Sequence, residues 1–406
     1  MGQYRHFTKQ TLCKNGDTMI PRTLFSPDHQ AFRDSFRRFC DKEIAPHHDA
    51  WEEQGYVDRA VWNKAGDNGF LCMTLPEEYG GSGADKLYSV IQFEELNARG
   101  FTGIGYSLHS EIVAPYILHY GTPEQKAKYL PKLASGEMIG AIAMSEPAAG
   151  SDLQGIKATA IRQPDGSYLL NGSKTFITNG WHADLVIVVA KTNPEAGGKG
   201  TSLLLVERGM EGFDKGKRLK KLGLKAQDTS ELFFNNVRVP AENLLGGPAY
   251  ENKGFICLME QLPWERLQIA ITAVAAAQSA IDQTVAYVKE RQIFGKPLLD
   301  FQNTQFRMAE LKTQLFAGWA LLDQFVQEQG APSLGTQDLS LVTEAGEEAS
   351  HHNPIRDAVL WALDEFDCSG FVAAGAENMV YVRVTSFVTY IERSGAFALP
   401  GRAADR

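Results

Sequence analysis

What most constrains this chain is a change of hydrophobic period that happens twice. From Ser26 to about Leu133 the apolar residues recur at helical spacing, as in Phe32, Phe36, Phe39 and Cys40. The period then shortens. SYLLNGSKTFITNG, ADLVIVVAKT, GTSLLLVER and ELFFNNVRVP are short runs rich in β-branched and aromatic residues, punctuated by Asn, Gly and Pro. From Asn252 to about Gln329 the chain is helical again, with Ala270, Ala273, Ala277, Ala280 and Ala286 in a long stretch suited to close helix packing. The β runs follow one another without helices between them, which argues against a parallel dinucleotide-binding sheet. Gly103-Ile104-Gly105 falls in a helical region and is set aside as a nucleotide signal.

The fold class is therefore α+β in three layers. The divisions are a tail over 1–18, an N-terminal all-α domain over 19–138 and a middle β domain, barrel or sandwich, over 139–245. A C-terminal helical domain follows over 246–330, then an atypical segment over 331–406. A chain of 406 residues is too long for one ordinary core, and 44% hydrophobic with 22% charged residues is the composition of a globular protein. No uninterrupted apolar run reaches the roughly 18 residues of a membrane span. A net charge of -9 argues against a nucleic-acid binder. Cys13, Cys40, Cys72, Cys257 and Cys368 contain no C-x-x-C, and neither His47-His48 nor His351-His352 has the i, i+4 spacing of helical metal ligands, so no metal site is expected. The scattered thiols suit a reducing compartment. MGQYRHFTKQTLCKNGDT lacks the apolar core of a signal peptide, and its basic residues leave a mitochondrial presequence open.

Local signals sharpen the helical parts. Ser26 with Pro27 reads as an N-cap and first helical position, and Thr122-Pro123-Glu124-Gln125 as a capping box. Pro263 is expected to break or kink its helix and leave Glu265 in the first turn of a new segment. Glu265 lies in EQLPWERLQIAI among Leu262, Trp264, Leu267 and Ile269, with Arg266 beside it. Two readings fit: a solvent-facing Glu-Arg pair on an apolar helix, or a base whose proton affinity is raised by desolvation.

Eight motifs then stand in register: APHHDAWEEQG, LPEEYGG, GAIAMSEPAAGSDLQGIKATA, LNGSKTFITNG, GLKAQDTSELFFNNVRVP, ENKGF, LPWERL and ERQIFGKPL. Over residues 19 to about 328 the chain resembles the acyl-CoA dehydrogenases, most of all the long-chain members. The resemblance implies an FAD enzyme that removes the α-proton of an acyl-CoA while the β-hydrogen leaves as hydride to the flavin. It also implies transfer of electrons to an electron-transfer flavoprotein, a homo-oligomer (dimer or tetramer), and a cytoplasmic location, or the mitochondrial matrix in a eukaryote. It makes Glu265 the base, and Glu260 a structural acid. It assigns Ile142, Ala143, Met144, Ser145, Ser151, Phe176, Ile177, Thr178, Arg291 and Gln302 to the cofactor, the last two across a subunit interface. It assigns Ser151, Val189, Ala190, Ile256, Pro263, Trp264 and Arg266 to the substrate.

After about Gly330 the resemblance stops. The family's Gly-rich L-H-G-G-x-G-like and G-T-N-E-I-like motifs, which contact FAD there, do not occur. Instead a helix is expected over Pro354 to Phe366 and an alternating strand around Val380 to Thr385, and the abrupt change reads as a shift of reading frame. Two alternatives follow: a protein of the same fold that is inactive or poor in FAD, and an oxidase passing electrons to oxygen.

Overall fold

The computed structural model describes residues 22–330 except Thr102. The tail before residue 22 and everything after Gly330, including the helix and strand expected there, lie outside the described residues. The N-terminal layer comprises α1 (Pro27–Phe39), α2 (His48–Gln54), α3 (Arg59–Asp67), α4 (Lys86–Ala98), α5 (Tyr106–Leu108), α6 (Ala114–Tyr120) and α7 (Pro123–Ala134). A π-helical turn over His109–Val113 joins α5 to α6. Both expected caps are present. Ser26 Oγ accepts from the His29 N–H while His29 Nδ1 accepts from the Ser26 N–H, and Thr122 and Gln125 make the same reciprocal pair.

The middle layer has strands β1 (Gly140–Ala143), β2 (Thr159–Arg162), β3 (Tyr168–Thr178), β4 (Leu185–Lys191), β5 (Thr201–Glu207), β6 (Phe213–Arg218) and β7 (Thr229–Val239). They form a single seven-stranded sheet in the order β1-β4-β2-β3-β7-β6, with β5 on β4. β1 runs parallel to β4, and β2 meets β4 at one residue pair, while the remaining pairings are antiparallel. One face of β4 and β5, through Leu185, Ile187, Val189, Leu203 and Leu205, packs against α6 and α7. The other face, through Val186, Val188, Ala190, Leu204 and Val206, closes the sheet's own core. Because both faces are buried, these strands read as continuous apolar runs rather than as alternation.

Polar clamps hold the layers in place. The buried His109 accepts from the Gly140 N–H at Nδ1 (3.0 Å) and donates from Nε2 to the Leu133 carbonyl (2.9 Å). Burial lowers its pKa to about 4, so the ring is neutral and this tautomer is fixed. Arg59 pairs with Asp184 at 2.6 Å, and the Arg218 guanidinium lies over the rings of both Tyr56 and Trp181.

The C-terminal layer is α8 (Gly254–Glu290), a short hairpin of β8 (Gln292–Ile293) and β9 (Lys296–Pro297), and α9 (Gln302–Gly330). Here one expectation is corrected. Pro263 does not end a helix: α8 runs through it without interruption, so Glu265 sits in a helix interior rather than a first turn. The turns on both sides of Pro263 are fixed by packing, Cys257 and Leu258 against the α6–α7 cluster, and Trp264, Leu267, Ala270 and Ile271 against α4 and α9. That burial outweighs the roughly 3 kcal/mol that proline costs in a helix interior. By length and composition alone α8 would pass for a membrane span. Its apolar positions are instead shared between two core clusters.

Candidate active site

Two structures converge on one apolar cluster. The first is the stretch of α8 around Glu265. Burial pushes the Glu265 carboxyl up to about 7, against the opposing pull of a hydrogen bond from Tyr116 and the charge of Arg266. Tyr116 is fully buried on α6, and its hydroxyl donates to Glu265 Oε1 at 3.0 Å. One turn on, Tyr120 donates to Glu260 Oε2 at 2.7 Å. The two acids of EQLPWERLQIAI are thus each capped by a tyrosine. Trp264, the neighbour of Glu265, is buried and donates from Nε1 to Glu111, a wholly buried carboxylate that also accepts from Ser89 (2.7 Å) and Thr74 (3.2 Å). The Lys86 ammonium stands 4.0 Å from the centre of the Trp264 ring.

The second structure is the join between the loop after β1 and the bulge in β3. The register of β3 on β7 slips between Lys174 and Ile177. Phe176 is pushed out of the sheet there, with φ 60° and 60% of its surface exposed. A left-handed backbone at a bulky aromatic is strained, and it persists because its neighbours are fixed. The Thr175 N–H donates to the Ser145 carbonyl at 3.0 Å. The Lys174 ammonium is entirely buried and donates to the Met144 carbonyl (2.9 Å) and Glu146 Oε1 (2.8 Å). Glu146 in turn accepts from the backbone N–H groups of Lys157 and Ala158. The start of the loop is therefore tied to the strand that displays Phe176, and Glu146 ties the far end of the loop back to its start. Ile142 and Met144 pack in the same apolar cluster as Tyr116, Cys257 and Leu258, and Tyr116 in turn holds Glu265.

Comparison with known proteins decides the family. Family models described as the acyl-CoA dehydrogenase N-terminal, middle and C-terminal domains match residues 26–137, 141–237 and 252–342. The chain belongs to the acyl-CoA dehydrogenase family. The third match runs to residue 342, somewhat past the point where the motifs fade. The chain is 51% identical to the mouse long-chain specific mitochondrial acyl-CoA dehydrogenase over 308 residues, 75% of this chain and 71% of that one. It is 39% identical to a potato mitochondrial isovaleryl-CoA dehydrogenase over 331 residues, 80% and 79% of the two chains. Among solved structures, an acyl-CoA dehydrogenase from Geobacillus kaustophilus superposes with a TM-score of 0.75 at 42% identity, covering 90% of this chain and 98% of that one.

In this acyl-CoA dehydrogenase the other residues singled out by sequence fall into three groups. Ser145, Ser151, Ile177 and Thr178 flank the bulge or belong to its loop, and Ile142 and Ala143 are buried on β1, where they offer backbone only. Ile256, Arg266, Arg291 and Gln302 are exposed, and Pro263 is half-buried. Val189 and Ala190 are wholly buried towards the end of β4, one in each core. Trp264 likewise faces the core between α4 and α8 and braces the helix that carries Glu265.

Sequence reasoning missed Tyr116, Glu111, Lys174 and Glu146. Lys174 left a signal, since it occupies an inward register of β3 where only an apolar or paired residue belongs. Gly105, set aside as a nucleotide signal, has a packing role. It leaves room for Asn179, itself at φ 60°, whose side chain donates to the Gly105 and Gly140 carbonyls. A Cβ on Gly105 would stand 2.0 Å from Asn179 Oδ1. Gly105→Ala is expected to destabilise the protein by about 1–3 kcal/mol, read as a lower denaturant midpoint; an unchanged midpoint would show that Asn179 can move without cost.

Proposed function

We propose that this chain oxidises a long-chain saturated acyl-CoA to the trans-2-enoyl-CoA, with Glu265 as the base. The observation that carries the proposal is the desolvated Glu265 carboxyl beside the Tyr116 hydroxyl. A proton next to a thioester is weakly acidic, and a base with raised proton affinity is matched to it. The α8 and α6 packing leaves the Glu265 side chain only partly exposed, and that partial burial raises its basicity.

The residues present fit a flavin. The bulge displays an exposed aromatic ring at Phe176, and the loop tied to it carries two hydroxyls, Ser145 and Ser151. FAD bound there supplies the two-electron acceptor for the β-hydrogen. Ile142 and Ala143 through their backbone, with Met144, Ser145, Ser151, Phe176, Ile177 and Thr178, would hold it, the Lys174–Glu146 pair fixing the loop. Arg291 and Gln302, exposed on their own chain, are proposed to reach FAD held by a second copy. Ser151, Val189, Ala190, Ile256, Pro263, Trp264 and Arg266 remain the proposed acyl-CoA contacts. An electron-transfer flavoprotein is the proposed acceptor, and the mitochondrial matrix the proposed location in a eukaryote.

A pH profile follows directly. A base works only when ionised, so kcat/KM is expected to rise with pH through a midpoint near 7, the value to which burial pushes Glu265. The check is kcat/KM with an artificial electron acceptor between pH 5 and 9. A flat acid limb down to pH 5 would mean that some other group takes the proton.

A further inference from the structure

Glu265 Oε1 and Oε2 are not equivalent. Oε1 accepts from the Tyr116 hydroxyl at 3.0 Å. Tyr116 is wholly buried, its ring centre 6.0 Å from that of Tyr120, and its own pKa is raised far above the usual range by burial and by the Glu265 charge. It therefore stays a neutral donor at any working pH. We propose that Tyr116 is the positioning residue of the base, its hydroxyl fixing Oε1 so that Oε2 takes the substrate proton. The proposal rests on Glu265 being that base.

A donor to a carboxylate favours the ionised form. Tyr116 thus opposes the burial that raises Glu265 and keeps a usable fraction of it ionised at neutral pH. The other groups facing this part of α8 are already engaged. From α6, Tyr120 holds Glu260, and His119 accepts from Gln261. From the π turn, Glu111 holds Trp264, and from α4, Lys86 caps the same ring. On α8 itself are Cys257, whose thiol burial pushes up to about 12, and Arg266, whose charge favours ionised Glu265. On α9, Lys312 lies further along at Gln278 and Asp282. Tyr116 is the direct hydrogen-bond partner of the base within this set.

The test is an infrared pH titration of the flavin-loaded protein, which needs no turnover. The carboxylic-acid carbonyl band absent in Glu265→Gln reports Glu265. In Tyr116→Phe its midpoint is expected to move up by about one pH unit, and the acid limb of kcat/KM to move with it. Tyr120→Phe, which uncaps Glu260 instead, should leave the midpoint in place. If Tyr116→Phe folds poorly, 2,3-difluorotyrosine at position 116 keeps the ring and strengthens the donor, and the midpoint should fall. A midpoint unmoved by either change, or moved equally by Tyr120→Phe, overturns the proposal. Retained turnover in Glu265→Gln would instead overturn the assignment of the base.

Discussion

Glu265→Gln is expected to lose turnover by on the order of 10²–10⁴-fold, the usual contribution of a positioned base, while keeping bound flavin. The reason is in the geometry. The amide has the shape of the carboxylate, and its oxygen can still accept from the Tyr116 hydroxyl that now reaches Oε1 at 3.0 Å. Packing around Trp264 and Leu267 is untouched. What disappears is the atom that accepts the proton. Glu260→Gln is the control: Glu260 is capped by Tyr120 and its removal should leave most activity. Rapid-mixing measurements of flavin bleaching in the two variants separate loss of the base from loss of the fold. Bleaching at a near-normal rate in Glu265→Gln would remove it from the mechanism.

The second large effect is expected at Lys174. Lys174→Met keeps the length of the side chain but leaves Glu146 buried without its cation. Both side chains are nearly inaccessible, at 0% and 6% exposure, so breaking the pair should destabilise the protein by about 3–5 kcal/mol. The same change frees the Met144 carbonyl, and with it the loop that carries Ser145 and Ser151. Lower flavin retention is therefore expected together with lower stability. The double variant Lys174→Met with Glu146→Gln removes both charges and should recover part of the loss, because no uncompensated charge remains. Denaturant unfolding and flavin fluorescence of the two single variants and the double give the coupling. Additive losses would mean that the pair does not act as a unit.

These predictions rest on features of unequal visibility in the sequence. The helix–sheet–helix order was readable because period changes are local, and so were the caps at Ser26 and Thr122, where residue type dictates the bond. Glu265 was visible as an acid among apolar neighbours, but its function came from the motif around it. Pro263 misled because its local cost was judged without the packing that α4, α6 and α9 supply around α8. Val189 and Ala190 show a limit of another kind, since sequence does not tell which of the two cores flanking β4 each apolar strand residue enters. Tyr116 and Glu111 were invisible for a plainer reason. They meet Glu265 and Trp264 across about 150 residues of chain, at separations of 149 and 153, and no local pattern encodes such a pairing. The bulge that turns Phe176 outward likewise depends on the register of β3 against β7.

The measurement that bears most directly on the function is the visible absorption spectrum of the purified protein before and after anaerobic addition of palmitoyl-CoA. A flavin band that bleaches on addition is the expected result, since it requires the cofactor loop, the Phe176 bulge and the Glu265 base to work together in one chain. No flavin band even after FAD is supplied would contradict the proposed cofactor site. A band that persists unbleached with every acyl-CoA tried would contradict the dehydrogenase activity itself.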